Sequence, residues 1–230
     1  MVESNLSFEL QVIFDNSIKE DSEFRGGFGF SIFIYNLLSD KYLLFDAGAD
    51  GDTLMENFKI AGLDVADLDK VIISHNHLEQ IIGLDKIYEM NPSIEIYVPK
   101  ENYITYNRKF EKAEVIGVEE PIEIDKRIYS TGQMGTYIKE QSVILHTAYD
   151  EVILLTGCAH PGLDDIIDYA HKYAHNLKAI VGGFHGFRKF WALEHIDCIY
   201  PCHCTQYKED FLNRFPEHSK ALFVGDVLQF

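Results

Sequence analysis

Basic residues are scarce in this chain: 20 Lys and Arg stand against 37 Asp and Glu, for a formal net charge of −17. No Lys or Arg cluster relieves that balance. Nucleic-acid affinity rests on basic patches, so a nucleic-acid partner is not expected. No apolar stretch approaches the roughly 20 residues of a membrane span. The start, Met1-Val2-Glu3-Ser4-Asn5, lacks the basic opening of a signal peptide, so a cytoplasmic location with no membrane partner is expected. Cysteines number four, and Cys158, Cys198, Cys202 and Cys204 are all late, without the even pattern of a secreted scaffold. Cys202-His203-Cys204 invites a metal-knuckle or iron–sulfur reading, but the spaced cysteine runs of iron–sulfur ligation are missing. Following apolar strand residues, these cysteines read mostly as small core groups, with Cys158 or Cys204 still able to reach a metal. Gly26-Gly27 and Gly182-Gly183 lack the Lys or the spacing of a phosphate loop. There is no repeat, low-complexity tract or Pro/Gly-rich linker, so residues 1–230 are expected to form one domain.

What is present is histidine at the ends of apolar runs. Val71-Ile72-Ile73 has the β-branched character of a buried strand and leads through Ser74 into His75-Asn76-His77-Leu78-Glu79-Gln80. Alternate residues leaving a strand can point the same way, so His75 and His77 can meet one metal ion. A His-x-His arises often by chance in a chain with ten histidines, and most single histidines are surface or satisfied core groups. The neighbourhood argues otherwise. His160 follows Val152–Ala159, His185 follows Ala179–Phe184 and His203 follows Ile199–Cys202. Four strand-to-loop histidine sites suggest one rim of an α/β fold, where strand ends converge and sites form.

These elements resemble the metallo-β-lactamase superfamily. Its central motif, His-x-His-x-Asp-His after a short strand, corresponds to His75-Asn76-His77-Leu78-Glu79-Gln80, and its upstream Asp-x-Gly to Asp46-Ala47-Gly48. The chain looks most like the branch named for a dihydropterin ribofuranosylaminobenzene phosphate synthase. That branch's Thr-Gly-Cys-x-His, Gly-Gly-Phe-His and His-Cys-Thr elements match Thr156–His160, Gly182–His185 and His203–Thr205; Asp15-Asn16 and Gly29-Phe30-Ser31 also fit. The resemblance spans nearly the whole chain and implies an αββα sandwich. By carry-over, His75, His77 and His160 hold a first metal, and Glu79, Gln80 and His203 stand where relatives hold a second. Two of these depart from the pattern. Glu79 replaces an aspartate and is longer by about one carbon–carbon bond. Gln80 replaces a histidine with a neutral amide, a poor ligand for zinc or iron beside imidazole.

Three arrangements follow. One ion binds in the first site with His203 or His185 helping; a second ion also binds, through Glu79; or metal chemistry is lost. The first is adopted, with one zinc (or iron or manganese) per chain. Asp46, Gln80 and Cys158 would lie just behind the ligands. Three histidines leave an open position for water, whose pKa falls towards neutrality on binding. Glu79 would then be the catalytic base or water-orienting group. The Gly-Gly-Phe-His185 setting falls near where relatives place a bridging acid, and His185 can instead bind substrate phosphate. The resemblance implies a hydrolase or related transferase acting on a small phosphorylated or pterin-like compound. A relative that binds a ligand or partner without turnover is the other reading, favoured by Glu79-Gln80. The many aromatics (16 Phe, 13 Tyr) could furnish a homo-oligomer face.

Periodicity predicts strands over Phe8–Phe14, Phe30–Tyr35, Tyr42–Phe45 and Ile94–Val98, and a hairpin from Val143–His146 and Val152–Leu155. Helices are predicted over Asp52–Ala61, stopped by Gly62, over Ile81–Glu89 and over Leu163–Ala174. His171 and His175 would then share one helical face, more plausibly solvated than ligating, since Lys172 stands where a metalloprotease helix has Glu. Glu101–Lys112 mixes aromatics with charge and is read as a loop covering the site in preference to a helix.

Overall fold

The computed structural model describes residues 6–230; the Met1–Asn5 start lies outside them. Two β-sheets pack face to face, with helices on both outer surfaces. The first sheet contains β1 (Phe8–Phe14), β2 (Ser31–Asn36), β3 (Lys41–Phe45), β4 (Lys70–Ile72), β5 (Glu95–Pro99), β6 (Glu114–Val118) and β13 (Val227–Gln229), in the order β13-β1-β2-β3-β4-β5-β6. The second contains β7 (Ile122–Asp125), β8 (Ile128–Ser130), β9 (Val143–His146), β10 (Glu151–Thr156), β11 (Asn176–Gly183) and β12 (Cys198–Cys202), in the order β12-β11-β10-β9-β8-β7.

Strand alternation explains the layering. Successive side chains point to opposite faces of a sheet, so a strand covered on both sides is apolar throughout. Phe8, Leu10 and Val12 of β1, Ile32 and Ile34 of β2, and Leu43 and Phe45 of β3 enter the core between the sheets. Phe33 and Leu44 point the other way, into a second core beneath α1 (Gly51–Ile60), α3 (Leu84–Met90) and α4 (Tyr103–Lys109). Ile144, Val152, Leu154 and Ile180 do the same on the second sheet, beneath α5 (Leu163–Ala170) and α6 (Lys208–Arg214). The expected αββα sandwich is therefore the observed architecture.

Strands β3 to β6 run parallel, as do β10 to β12. Their carboxyl ends open onto one rim, the place where sites form in parallel sheets. Helix α1 is capped as its sequence suggests: the Asp50 carboxylate accepts from the Thr53 N–H at 2.6 Å, and Gly62 follows the C-terminus with φ +72°.

Three expectations need correction. Glu101–Lys112 is mainly helical, not a covering loop. Tyr103, Tyr106 and Phe110 recur at helical spacing, Tyr106 and Phe110 are buried, and the charged residues face outward. Ile81–Glu89 is not one helix: a short α2 (Leu78–Ile81) begins three residues earlier and breaks before α3. Leu163–Ala174 is helical only to Ala170. His171 caps that helix and His175 lies beyond it, so both are exposed without sharing a helical face.

Candidate metal centre

Five parallel strands deliver the site. Asp46 follows β3, Ser74 to His77 follow β4, Cys158 to His160 follow β10, His185 follows β11 and His203 follows β12. Four of the residues turning away from these strand ends adopt positive φ without being glycine: Asp46 (59°), Ala159 (58°), His185 (45°) and His203 (42°). Such conformations are uncommon for residues with a Cβ and gather where a site over-determines the backbone.

His75, His77 and His160 form a compact triangle. Their ring centroids are 4.6 Å (His75–His77), 4.6 Å (His75–His160) and 4.9 Å (His77–His160) apart, and the planes cross at 70–89°. His75 Nε2 and His77 Nδ1 approach to 3.1 Å. Two ligand atoms about 2.0 Å from one zinc ion would be separated by a little over 3 Å in tetrahedral geometry, so this spacing fits a shared ion.

The opposite ring nitrogens are anchored. His75 Nδ1 meets Ser74 Oγ at 2.8 Å, and the Ser74 hydroxyl and backbone N–H both donate to the buried Asp46 carboxylate at 2.7 Å. The hydroxyl is thus committed to Asp46 and accepts the His75 Nδ1–H, which leaves the Nε2 lone pair facing His77. Burial lowers the His75 pKa to about 3, against a smaller opposing pull from Glu140, so the ring is neutral and competent as a ligand. Burial likewise pushes the Asp46 carboxyl well above its usual range, opposed by the Ser74 hydrogen bonds.

His160 is held by Glu140. One Glu140 oxygen accepts the backbone N–H groups of Cys158 and Ala159, both at 2.9 Å. The other accepts the His160 backbone N–H at 2.9 Å and its Nδ1–H at 2.8 Å. Burial alone would raise this carboxyl; the His160 hydrogen bonds and the nearby imidazoles outweigh it and hold Glu140 at about 2. A carboxylate only accepts, so the proton lies on His160 Nδ1 and Nε2 is free to bind.

Glu79 lies beside the first-site histidines, with one carboxylate oxygen 3.5 Å from His77 Nδ1; His75, His77 and Glu79 offer ligand atoms within 4.8 Å of one another. His185 is adjacent, its ring 5.3 Å from that of His160, and burial lowers its pKa. His203 stands in a separate group with Cys158 and Cys204. Its backbone N–H donates to Asp15 at 2.8 Å and its Nδ1 to Asn16 Oδ1 at 2.9 Å. Gln80 is fully buried and donates from Nε2 to Cys158 Sγ at 3.5 Å. Cys158 is buried and Cys204 half-buried, so the core-thiol reading describes only part of their setting.

Sequence reasoning missed Glu140 and gave no role to Asn16. The one local signal for Glu140 is a polar Glu140-Gln141-Ser142 triplet immediately before the apolar β9, which a surface turn would share. Ser74 was read only as a motif neighbour, yet it carries the His75 anchor. Replacing Ser74 with alanine should cut metal affinity about 10–100-fold, as loss of such outer partners does, with the fold retained. A chelator-competition titration measures this, and unchanged affinity would contradict the relay.

The two-sheet sandwich with histidines gathered at its strand ends sets the class of fold. Residues 24–166 match the model of the metallo-beta-lactamase superfamily, and the chain belongs to that superfamily. It is 24% identical over 249 residues (83% of this chain, 85% of the other) to the 7,8-dihydropterin-6-methyl-4-(beta-D-ribofuranosyl)-aminobenzene-5'-phosphate synthase of Methanocaldococcus jannaschii. An uncharacterized protein of the same organism is 27% identical over 239 residues, covering 86% of this chain and 91% of that one. Among solved structures, a metal-dependent hydrolase of the beta-lactamase superfamily superposes with a TM-score of 0.76 at 21% identity, over 97% of this chain and 99% of that one. No helix among the described residues is long and apolar enough to cross a membrane.

Proposed function

We propose that this chain is a metal-dependent hydrolase-like protein. It acts on a small phosphorylated or pterin-like metabolite through one ion, zinc or else iron or manganese, held by His75, His77 and His160. The observation that carries this reading is the convergence of three imidazoles, with the outward Nδ1 atoms of His75 and His160 anchored on Ser74 and Glu140 and Glu79 standing beside His77. When bound at such a site, a divalent ion supplies Lewis-acid polarisation of a phosphoryl or carbonyl oxygen and acidifies water towards neutrality. Glu79 is near enough to take a proton from an attacking water and to orient it. The Glu140 and Asp46–Ser74 anchors fix the rings, so little reorganisation is needed when substrate arrives.

Two open depressions of about 300 and 420 Å³ meet at His160. One is flanked by Tyr137 and Pro161, the other by Phe184, His185 and Phe187. Tyr137 is almost fully exposed, and the exposed Phe28 ring lies 5.0 Å from that of His203. Exposed rings such as Tyr137 and Phe28 suit a flat heterocycle, since ring stacking stabilises it without demanding charge. They support the pterin-like half of the substrate class suggested by the synthase named above. The chain's large negative charge disfavours a polyanion, and a single phosphate group would rely on the local positive charge of the ion.

Binding without turnover is the second reading. One observation favours it: Gln80, where the resemblance puts a metal-binding imidazole, is buried and hydrogen-bonded to Cys158. The deciding experiment loads the chain with zinc, iron or manganese and assays phosphate-ester and pterin-ring substrates. Metal-dependent turnover that falls about 100-fold or more in Glu79→Gln, the scale of a lost general base, supports the enzyme. Metal retention with ligand binding but no turnover supports the binder.

A further inference from the structure

Beside the three-histidine triangle is a second donor group that joins His203, which stands where relatives hold a second metal, to two cysteines that the catalytic reading does not use. The sulfurs of Cys158 and Cys204 and a ring nitrogen of His203 all lie within 4.8 Å of one another. Two polar atoms around this group are buried without a hydrogen-bond partner, His203 Nε2 and Gln80 Oε1. His203 is only 9% exposed and Gln80 is fully buried. Buried polar atoms normally find partners, and an orphan in a native structure calls for a ligand or ion.

The local architecture prepares this group to bind. Asn16 Oδ1 accepts the backbone N–H of Gly29 at 3.3 Å as well as His203 Nδ1, which fixes the amide orientation. The His203 proton therefore sits on Nδ1 and the Nε2 lone pair is the orphan. A Cβ at Gly183 would stand 2.5 Å from Cys204 Sγ, so glycine there admits the sulfur. The adjoining Cys204 thiol and burial push the Cys158 thiol pKa up in the protein alone.

We propose that a second, thiophilic metal ion binds to Cys158 Sγ, Cys204 Sγ and His203 Nε2, with Gln80 Oε1 as a neighbouring oxygen donor. Two sulfurs and one imidazole form a donor set suited to zinc, with room for a further ligand, and disfavour magnesium or calcium. Binding releases the two thiol protons to solvent as the metal–sulfur bonds form, with no change in oxidation state. The loss of the family's aspartate–histidine pair is then accompanied by a softer site displaced towards the β10 and β12 strand ends. Cys158 also lies within reach of His75 and His160, so its sulfur stands between the two centres. This inference rests on the reading of the triangle as a metal site and raises the expected count from one ion to two.

The test is cobalt(II) titration of the reduced, metal-stripped chain under anaerobic conditions, followed by absorption spectroscopy. Two cobalt equivalents are expected. One gives visible bands alone, and the other adds thiolate-to-cobalt charge-transfer absorption in the near ultraviolet. Cys204→Ser should remove the charge-transfer absorption and one equivalent while the visible bands of the histidine site persist. Cys158→Ser provides a second removal of the same absorption should Cys204→Ser fail to fold. One equivalent without charge transfer, or charge transfer that survives both substitutions, overturns the thiolate site and leaves the histidine site standing. No cobalt uptake at all overturns both.

Discussion

Glu140→Ala should destabilise the chain by about 4 kcal/mol or more, the sum expected when several buried donors lose their acceptor at about 1–3 kcal/mol each. The buried Glu140 carboxylate holds a turn through four hydrogen bonds: it takes the N–H groups of Cys158, Ala159 and His160 and the His160 ring N–H. That turn leaves β10 through Ala159 at positive φ, so it depends on outside hydrogen bonds to keep its shape. Glu140→Gln retains the oxygen for the two upstream N–H groups but turns an amide N–H₂ towards His160, and so should cost less stability. It should still weaken metal binding about 10–100-fold through the freed imidazole. Thermal melts measure the first effect, a fall of about 8–16 °C for a chain of this size. A Glu140→Ala melting point within about 3 °C of the parent would contradict this role.

Gly83→Ala should be comparably damaging, for a steric reason. Gly83 joins α2 to α3, and a Cβ there would lie 2.0 Å from the Ala47 carbonyl oxygen and 2.7 Å from Leu54 Cδ2. The first of these is backbone and cannot swing aside. The contact sits where Ala47 N–H donates to Gln80 O at 2.7 Å and Gly83 N–H to Gly48 O at 3.3 Å. The Asp46–Gly48 turn and the helix behind His77 are thereby locked together. Forcing them apart should cost about 3 kcal/mol, the upper end for overpacking, and should shift Asp46, Ser74 and His75 with it. The check is a urea melt alongside metal affinity: Gly83→Ala should lose both, whereas an exposed control such as Gly62→Ala, which has no atom within 4 Å of its Cβ position, should lose only stability through its positive φ. Unchanged metal affinity in Gly83→Ala would break the link between this contact and the site.

The strands and the histidine positions were legible because each is a local pattern. An apolar run of strand length followed at once by His75, His160, His185 or His203 marks a strand end, and parallel strands bring such ends to one rim. Glu140 was not legible because its importance arises from chain closure. Its four donors lie 18–20 residues away, and the sequence distance carries no sign of the contact. Tyr103, Tyr106 and Phe110 held the helical period of α4, but the interspersed charges obscured it. Gly83 was visible, whereas its reason, an oxygen of another loop, was not. The Glu79-Gln80 departure was legible as a change. That Gln80 turns towards Cys158, and that Cys204 and His203 share its corner, depends on strands β10 and β12 lying on either side of β11 in one sheet.

The most direct test of the central claim is metal content by elemental analysis, after anaerobic purification without an affinity tag of histidines, comparing the parent chain with a His77→Ala/His160→Ala double variant. Each lost ligand should cost on the order of 3 kcal/mol, a share of the roughly 10–16 kcal/mol of a four-ligand zinc site. The double variant should therefore hold one tightly bound ion fewer per chain than the parent. Equal metal content in the two proteins, or none in the parent even after loading with zinc, iron or manganese, would contradict the assignment of His75, His77 and His160 as a metal centre.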